Sequence, residues 1–180
     1  MATTTTKLMT FAEFEQLPNS PKGFRQELRH GEVIDLAPPK LNHSRLQWQL
    51  RHLLERAAGD AGIVTMEIGF RPTQDRNYRI ADVALISKVR WNSIEDYLFG
   101  APEIVVEVLS PSNTATEMLD KEKLCLENGC QEFWIVDPTL CLVKVSTPDS
   151  RAVTYSAGQE IPLFFGGSLS VDAIFTLAVG

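Results

Sequence analysis

Two short apolar runs each carry one acidic residue, and they constrain the fold of this chain more than any other feature. Residues 80–86 and 104–109 have almost no polar alternation, which is typical of strands buried on both faces of a sheet. Asp82 lies inside the first run and Glu107 inside the second. An ionised carboxylate in an apolar setting is costly unless it is paired or coordinated. Two such acids, followed by a helix with two lysines, predict a site that binds a divalent metal.

Composition limits the class of protein. The chain has 180 residues, 44% hydrophobic and 22% charged, as expected of one globular domain. Its net charge of −6 argues against a large basic surface for nucleic acid but leaves a local basic cleft open. No apolar stretch approaches the roughly 18 residues of a membrane span, so we expect no membrane contact. Residues 1–9 are predicted to form a flexible tail without an apolar signal core, which favours a cytoplasmic protein.

The three cysteines are Cys125, Cys130 and Cys141. They are odd in number and lack the spacing of zinc ligands, which indicates reduced, buried thiols.

Periodicity and breakers give an order of elements. The predicted elements are a helix at 11–17 capped by Thr10, a hairpin at 26–36 turning at His30-Gly31, a helix at 44–58, strands at 64–70 and 78–86, a short helix at 94–99, a strand at 103–109, a helix from Thr114 or Thr116 to about 128, strands at 133–136, 142–146 and 153–156, and peripheral strands with a terminal turn at 161–175. This order predicts one α/β domain over residues 10–180, with a central mixed sheet flanked by helices.

The helix after Glu107 carries two candidate lysines. Lys121 shares a face with Met118 and Cys125, whereas Lys123 lies on a different face. Periodicity alone does not say which lysine turns inward, and both could extend from a solvated face.

A set of motifs spread along the chain carries a family resemblance. The motifs are residues 107–112, Glu117, Lys121, Gly129 and residues 132–138, with Glu27, Gly31-Glu32, His43 and Asp82 upstream. Together they closely resemble the Uma-type family of putative restriction endonucleases, within the PD-(D/E)XK nuclease superfamily. The resemblance covers nearly all of the chain and implies a restriction-endonuclease-like fold.

The resemblance also implies roles for individual residues. Asp82 matches the first acid of the superfamily and Glu107 the second. The superfamily lysine normally lies two residues after the second acid, where this chain has Leu109, and Lys121 on the next helix would take its place. Glu117 stands where an aspartate is usual.

The chemistry of these residue types agrees with that implication. Two carboxylates on neighbouring strands suit Mg²⁺ or Mn²⁺, which prefer oxygen ligands. A lysine near a metal-bound water could orient it or stabilise the transition state. Glu67, on the strand expected beside Asp82, is a candidate third metal ligand, and an orientation toward solvent is equally open. Glu27 is a weaker candidate.

The leading hypothesis is therefore a Mg²⁺-dependent endonuclease that hydrolyses DNA, with Asp82, Glu107 and Lys121 as its catalytic residues. The alternative is a nuclease-fold module with weak or no activity that acts in nucleic-acid binding or assembly. Two departures from the family pattern, Ala81 in place of proline and Cys125 in place of an aromatic residue, favour that alternative.

A homodimer is expected, because cleavage of both strands of a duplex is simplest with two sites. The strands after Asp137 and the apolar residues 163–165 are the candidate contact surface.

Overall fold

The computed structural model describes residues 8–18, 24–73 and 75–176. Residues 1–7 of the predicted tail lie outside this part of the chain. Met9 is the last residue of the predicted tail, and its N–H donates a hydrogen bond of 2.8 Å to the Gly31 carbonyl.

The described residues form helices and strands in an α/β order. The helices are α1 (Phe11–Glu15), α2 (Leu41–Ala58), α3 (Lys88–Trp91), α4 (Ala115–Leu126) and α5 (Val171–Phe175). The strands are β1 (Arg25–Arg29), β2 (Glu32–Leu36), β3 (Gly62–Arg71), β4 (Arg79–Ser87), β5 (Leu98–Phe99), β6 (Ile104–Val108), β7 (Glu132–Asp137), β8 (Leu142–Ser146), β9 (Ala152–Tyr155), β10 (Glu160–Pro162) and β11 (Ser168–Ser170).

A seven-stranded mixed sheet lies at the centre, in the order β5-β3-β4-β6-β7-β8-β9. The β3–β5 and β6–β7 pairs are parallel, and the other pairs are antiparallel. Helix α4 connects the parallel strands β6 and β7, which is the usual crossover between parallel strands. The predicted α/β domain with a central mixed sheet is confirmed.

Both faces of this sheet are covered, which explains the continuous apolar runs. Along β6, Val106 and Val108 pack in one core cluster with Leu50 of α2. Val105, which points the other way, packs in a second cluster with Cys125 of α4. Helices α2 and α4 therefore lie on opposite faces of the sheet, and a polar side chain in β6 has little access to water.

Capping boxes begin two of the helices. Thr10 accepts a hydrogen bond from the Glu13 N–H at the start of α1, and Thr114 accepts one from the Glu117 N–H at the start of α4. In each box the glutamate side chain reaches back to the threonine N–H. The structure thus selects Thr114 over Thr116 as the cap of α4.

One predicted segment was wrong. Residues 94–99 form no helix: the helical turn comes earlier, at α3, and Leu98 pairs in parallel with Phe70 of β3. The short apolar pattern did not distinguish a helix from an added edge strand. The last segment holds β10 and β11 in a separate two-stranded sheet and then α5, whose Ile174 is buried in the core.

Cys125 and Cys130 are free and buried, as predicted, but Cys141 is exposed. Within the described ranges, no helix combines the length and apolarity needed to span a bilayer.

Candidate active site

Asp82 and Glu107 meet where two central strands separate. The regular pairing of β4 with β6 ends at Val83 and Val106, and the two acids come next on their strands. Beyond that point the Asp82 side chain replaces a backbone carbonyl as hydrogen-bond acceptor: its Oδ2 accepts a hydrogen bond of 2.8 Å from the Val108 N–H. Asp82 therefore takes side-chain partners from α2, whereas Glu107 contacts Lys121 of α4. The two acids are near enough that the charge of Asp82 raises the pKa of Glu107.

Helix α2 supplies the other partners of Asp82. The Gln47 amide donates a hydrogen bond of 2.9 Å to Oδ1, and His43 Nε2 lies 3.3 Å from Oδ2. His43 and Gln47 are one helical turn apart, so they share a face of the helix. Sequence reasoning named His43 but missed Gln47, whose i+4 spacing from His43 was the available signal.

Glu67 lies across from Asp82 on the neighbouring strand. Its neighbours Met66 and Ile68 pair with β4, but Glu67 has a positive φ of 56°. Such a backbone conformation is uncommon for a residue other than glycine. The carboxylate contacts the side chains of Gln47 and Arg25. The Gln47 amide therefore bridges the Glu67 and Asp82 carboxylates. The Glu67 side chain is directed toward the site and not only toward solvent.

Glu107 is the least satisfied acid of the group. Its side chain is buried, with Oε2 2.8 Å from Lys121 Nζ. Its Oε1 is also buried and has no hydrogen-bond partner among the described residues. Burial raises the pKa of Glu107 to about 8, with the charge of Asp82 adding to the rise and Lys121 opposing it. Glu107 therefore has one carboxylate oxygen open to a further partner.

Lys121 points inward from α4 and is held on three sides. Its Nζ lies 2.7 Å from the Ile80 carbonyl, 2.8 Å from Glu107 Oε2 and 3.5 Å from Glu27 Oε1. Burial lowers its pKa, but Glu107 and Glu27 outweigh that effect and the net shift is upward. Lys121 is therefore a fixed cation, whereas Lys123 is 75% exposed on the outer side of the helix.

Glu27 links the β1–β2 hairpin to this lysine. It is 1% exposed and accepts hydrogen bonds from the Ile80 N–H at 2.8 Å and from Arg29 Nε at 2.7 Å. Burial raises its pKa, but Lys121, Arg29, that N–H and Arg79 together bring it below its usual value. Glu27, a weak candidate by sequence, is therefore an ionised carboxylate at the centre of the charged network.

A second set of ion pairs fixes α4 against the hairpin and β4. Arg29 pairs with Glu117 at 2.7 Å, and the buried Arg79 pairs with Asp120 at 2.5 Å. His30 also contacts Asp120, at 2.7 Å. Glu117 thus has a structural role, because it caps α4 and ties it to β1.

The side chains around Asp82 and Glu107 determine whether a divalent metal ion could bind there. Among the described residues, no group of three or more His, Cys, Asp or Glu side chains forms a ready-made metal site. However, Mg²⁺ usually binds through only one or two carboxylates and keeps several waters. A buried carboxylate oxygen without a partner, on Glu107, beside the charge of Asp82, fits such a cation.

The raised pKa of Glu107 predicts a pH dependence of stability in EDTA. The folded-state pKa of about 8 exceeds the usual value of 4.5, so folding favours the protonated acid. This contribution is complete below pH 4.5 and is lost as the pH rises through about 8. Urea unfolding across this window should show wild type losing stability relative to Glu107→Gln, which cannot titrate. Parallel pH profiles for the two proteins would contradict the assignment.

Comparison with known proteins identifies the family. Residues 11–175 match the Uma2 family, described as putative restriction endonucleases. The chain belongs to the Uma2 family. This confirms the family resemblance found in the sequence.

Two proteins illustrate the similarity. An uncharacterized protein of Synechocystis, sll1609, is 29% identical over 115 residues, which are 62% of this chain and 64% of that protein. The crystal structure of a putative nuclease belonging to DUF820 from Anabaena variabilis superposes with a TM-score of 0.81 at 21% identity, covering 94% of this chain and 98% of that one. The second match shows that the fold is shared.

Proposed function

We propose that this Uma2-family protein is a Mg²⁺- or Mn²⁺-dependent endonuclease that hydrolyses phosphodiester bonds of DNA. The observation that carries the proposal is the Glu107 carboxylate: it is buried, its Oε1 has no partner among the described residues, and it lies beside Asp82 and Lys121. Lys121 already pairs with Oε2, but a buried carboxylate oxygen without a partner is costly, and a metal ion bound at Oε1 would supply one. Family membership supports the same conclusion.

Asp82 and Glu107 are the residues that would hold the metal, with Glu67 as a further candidate on the Gln47 side. A metal at this position would lower the pKa of a bound water and offset negative charge on a phosphate. His43 and Gln47 orient Asp82 through its two oxygens. Such supporting hydrogen bonds typically matter for metal affinity.

Lys121 acts as a positive charge and not as a general base. Its raised pKa keeps it protonated at neutral pH, so it does not accept the proton of an attacking water. Contacts with Ile80, Glu27 and Glu107 set the position of its Nζ in advance. A preorganised cation of this kind stabilises negative charge as it develops on the scissile phosphate.

Cleavage of supercoiled plasmid DNA tests the proposal. The plasmid should be nicked or linearised with Mg²⁺ or Mn²⁺ and spared in EDTA, leaving 5′-phosphate and 3′-hydroxyl ends. Plasmid, linear duplex and single-stranded DNA that all stay intact with either metal would overturn it.

One observation favours the alternative of a non-catalytic binding or assembly module. Glu107 Oε2 and Asp82 are already engaged by Lys121, Gln47, His43 and Val108, so much of the site satisfies itself. A module of this kind should bind nucleic acid with a steep dependence on salt and leave it uncut.

Metal binding predicts a gain in thermal stability. A ligand that binds only the folded state at ten times its Kd adds about 1.4 kcal/mol, or about 3–5 °C in melting temperature for a chain of this size. Melting of the wild type should shift upward with millimolar Mg²⁺ or Mn²⁺. Asp82→Asn is the control and should melt alike with and without metal. Equal shifts in both proteins would place the metal elsewhere.

We further propose a cytoplasmic homodimer. Strand β9 is an edge of the central sheet, and its Val153 is 47% exposed. In the predicted apolar contact, Leu163 is buried in the core, whereas Phe164 is 48% exposed. Unpaired edge strands are natural partners for a second copy.

Light scattering at micromolar concentration should give the mass of a dimer, and Val153→Asp should shift it toward that of a monomer. Val89→Asp, at the 83% exposed position in α3, is the matched control. A monomeric mass for the wild type would contradict the proposal.

A further inference from the structure

The outer side of α2 carries aromatic and cationic side chains on the same helix that holds Asp82 on its inner side. We call the exposed residues Arg45, Trp48, His52 and Arg56 the Trp48 stripe. Their spacing of three or four residues aligns them along one side of the helix. Gln47 marks the inner side, where it contacts Asp82.

The centre of the stripe is a fixed aromatic platform. Trp48 is 52% exposed, and its ring stacks on His52 with centroids 5.5 Å apart and planes 5° from parallel. An indole held by stacking is also a surface on which a nucleic-acid base can stack at little entropic cost.

The ends of the stripe are positively charged. Within the ranges that the structure describes, neither Arg45 nor Arg56 takes part in an ion pair, whereas the neighbouring Arg51 is paired with Glu55 at 2.8 Å. The chain as a whole carries a net charge of −6. Two exposed arginines beside a tryptophan therefore form a local cationic surface that complements phosphates.

The stripe also has a length and position that suit a nucleic-acid strand. Arg45 and Arg56 are 11 positions apart, or roughly 16 Å at about 1.5 Å per helical residue. At about 3.4 Å per nucleotide, the rise of one strand in stacked B-form DNA, that length corresponds to roughly five nucleotides, and to fewer in a more extended unpaired strand. Gln47 and His43 contact Asp82 from the inner side of α2, so a strand lying along the stripe runs over the solvent side of the helix that holds Asp82.

We propose that the Trp48 stripe binds a single-stranded or locally unpaired segment of nucleic acid on the outer side of α2, the helix whose inner side holds Asp82. One base stacks on Trp48, and Arg45 and Arg56 contact phosphates farther along the strand on either side of that base. This inference rests on the proposed nuclease function and adds to it a surface that selects unpaired strands.

The test is binding of a labelled oligothymidine to the full-length protein in EDTA, where cleavage does not interfere. Trp48→Ala should weaken binding by about 10- to 100-fold, and Trp48→Phe should restore much of the affinity. Trp91→Ala is the matched control: Trp91 is a partly exposed tryptophan at the end of α3 and should leave affinity unchanged. Arg45→Ala and Arg56→Ala should each reduce the slope of log affinity against log salt by about one unit.

The outcomes separate the stripe from the nuclease proposal. Loss of binding in Trp48→Ala without any cleavage by wild type supports the stripe and refutes the nuclease. Cleavage by wild type with equal affinity for Trp48→Ala overturns the stripe alone. No binding of oligothymidine by wild type at low salt also overturns the stripe and points to a protein partner for this face.

Discussion

Asp82→Asn and Glu107→Gln are each expected to reduce metal-dependent DNA cleavage by about 10³-fold or more, the upper range for loss of one electrostatic contact to the transition state. Each change removes a negative charge from the opening between β4 and β6 and nearly preserves side-chain shape. Asp82→Asn keeps an oxygen that can accept from Val108, and Glu107→Gln keeps one for Lys121. The loss should therefore reflect the metal site and not the fold.

Initial rates of plasmid nicking, at several Mg²⁺ concentrations, measure this effect. Two control variants, Asp35→Asn and Glu127→Gln, each remove a carboxylate charge outside the site. Asp35 is an exposed residue of β2 that accepts a hydrogen bond from Gln26, and Glu127 is exposed at the end of α4. Both should cleave like wild type. Cleavage by Asp82→Asn at the wild-type rate, with unchanged metal dependence, would show that the metal binds at other residues.

Lys121→Ala is expected to lower the cleavage rate by about 10²–10³-fold, the usual cost of removing one donor aimed at developing charge. Metal affinity should change little, since a lysine cation does not coordinate a metal. The change also leaves Glu27 and Glu107 without their shared cation, and removing one partner of a buried pair typically costs about 3–5 kcal/mol. Rates must therefore be measured well below the melting temperature of the variant.

Lys123→Ala is the matched control two residues away. Lys123 is exposed, so its loss should leave both stability and rate near wild type. Lys121→Met, which keeps the apolar stem, separates the loss of charge from the loss of packing. An active Lys121→Ala together with an inactive Lys123→Ala would contradict the role assigned to the inward lysine.

The parts of this fold that sequence predicted are those set by local patterns. The runs around Asp82 and Glu107 are apolar because both faces of the sheet are covered. The lack of polar alternation in these runs can be recognised from the sequence alone. The capping boxes at Thr10 and Thr114 are also local. The family resemblance, confirmed over residues 11–175, rests on such strings of neighbouring residues.

The environment of the candidate site was not predictable in the same way, because distant segments assemble it. Lys121 and Glu27 are 94 positions apart, and Gln47 and Asp82 are 35 apart. Periodicity placed Lys121 and Lys123 on different faces, and only packing against β4 shows which face is inside. The positive φ of Glu67 has no sequence signal either, since glycine is the residue expected there.

The most direct measurement is a crystal structure of the protein soaked in Mn²⁺, with the metal located by its anomalous scattering. The proposal predicts one Mn²⁺ ion bound to carboxylate oxygens of Asp82 and Glu107, with Glu107 Oε1 among its ligands and Lys121 Nζ beside a metal-bound water. An ion at other residues, or Asp82 and Glu107 left without metal at saturating Mn²⁺, would contradict the metal-dependent nuclease.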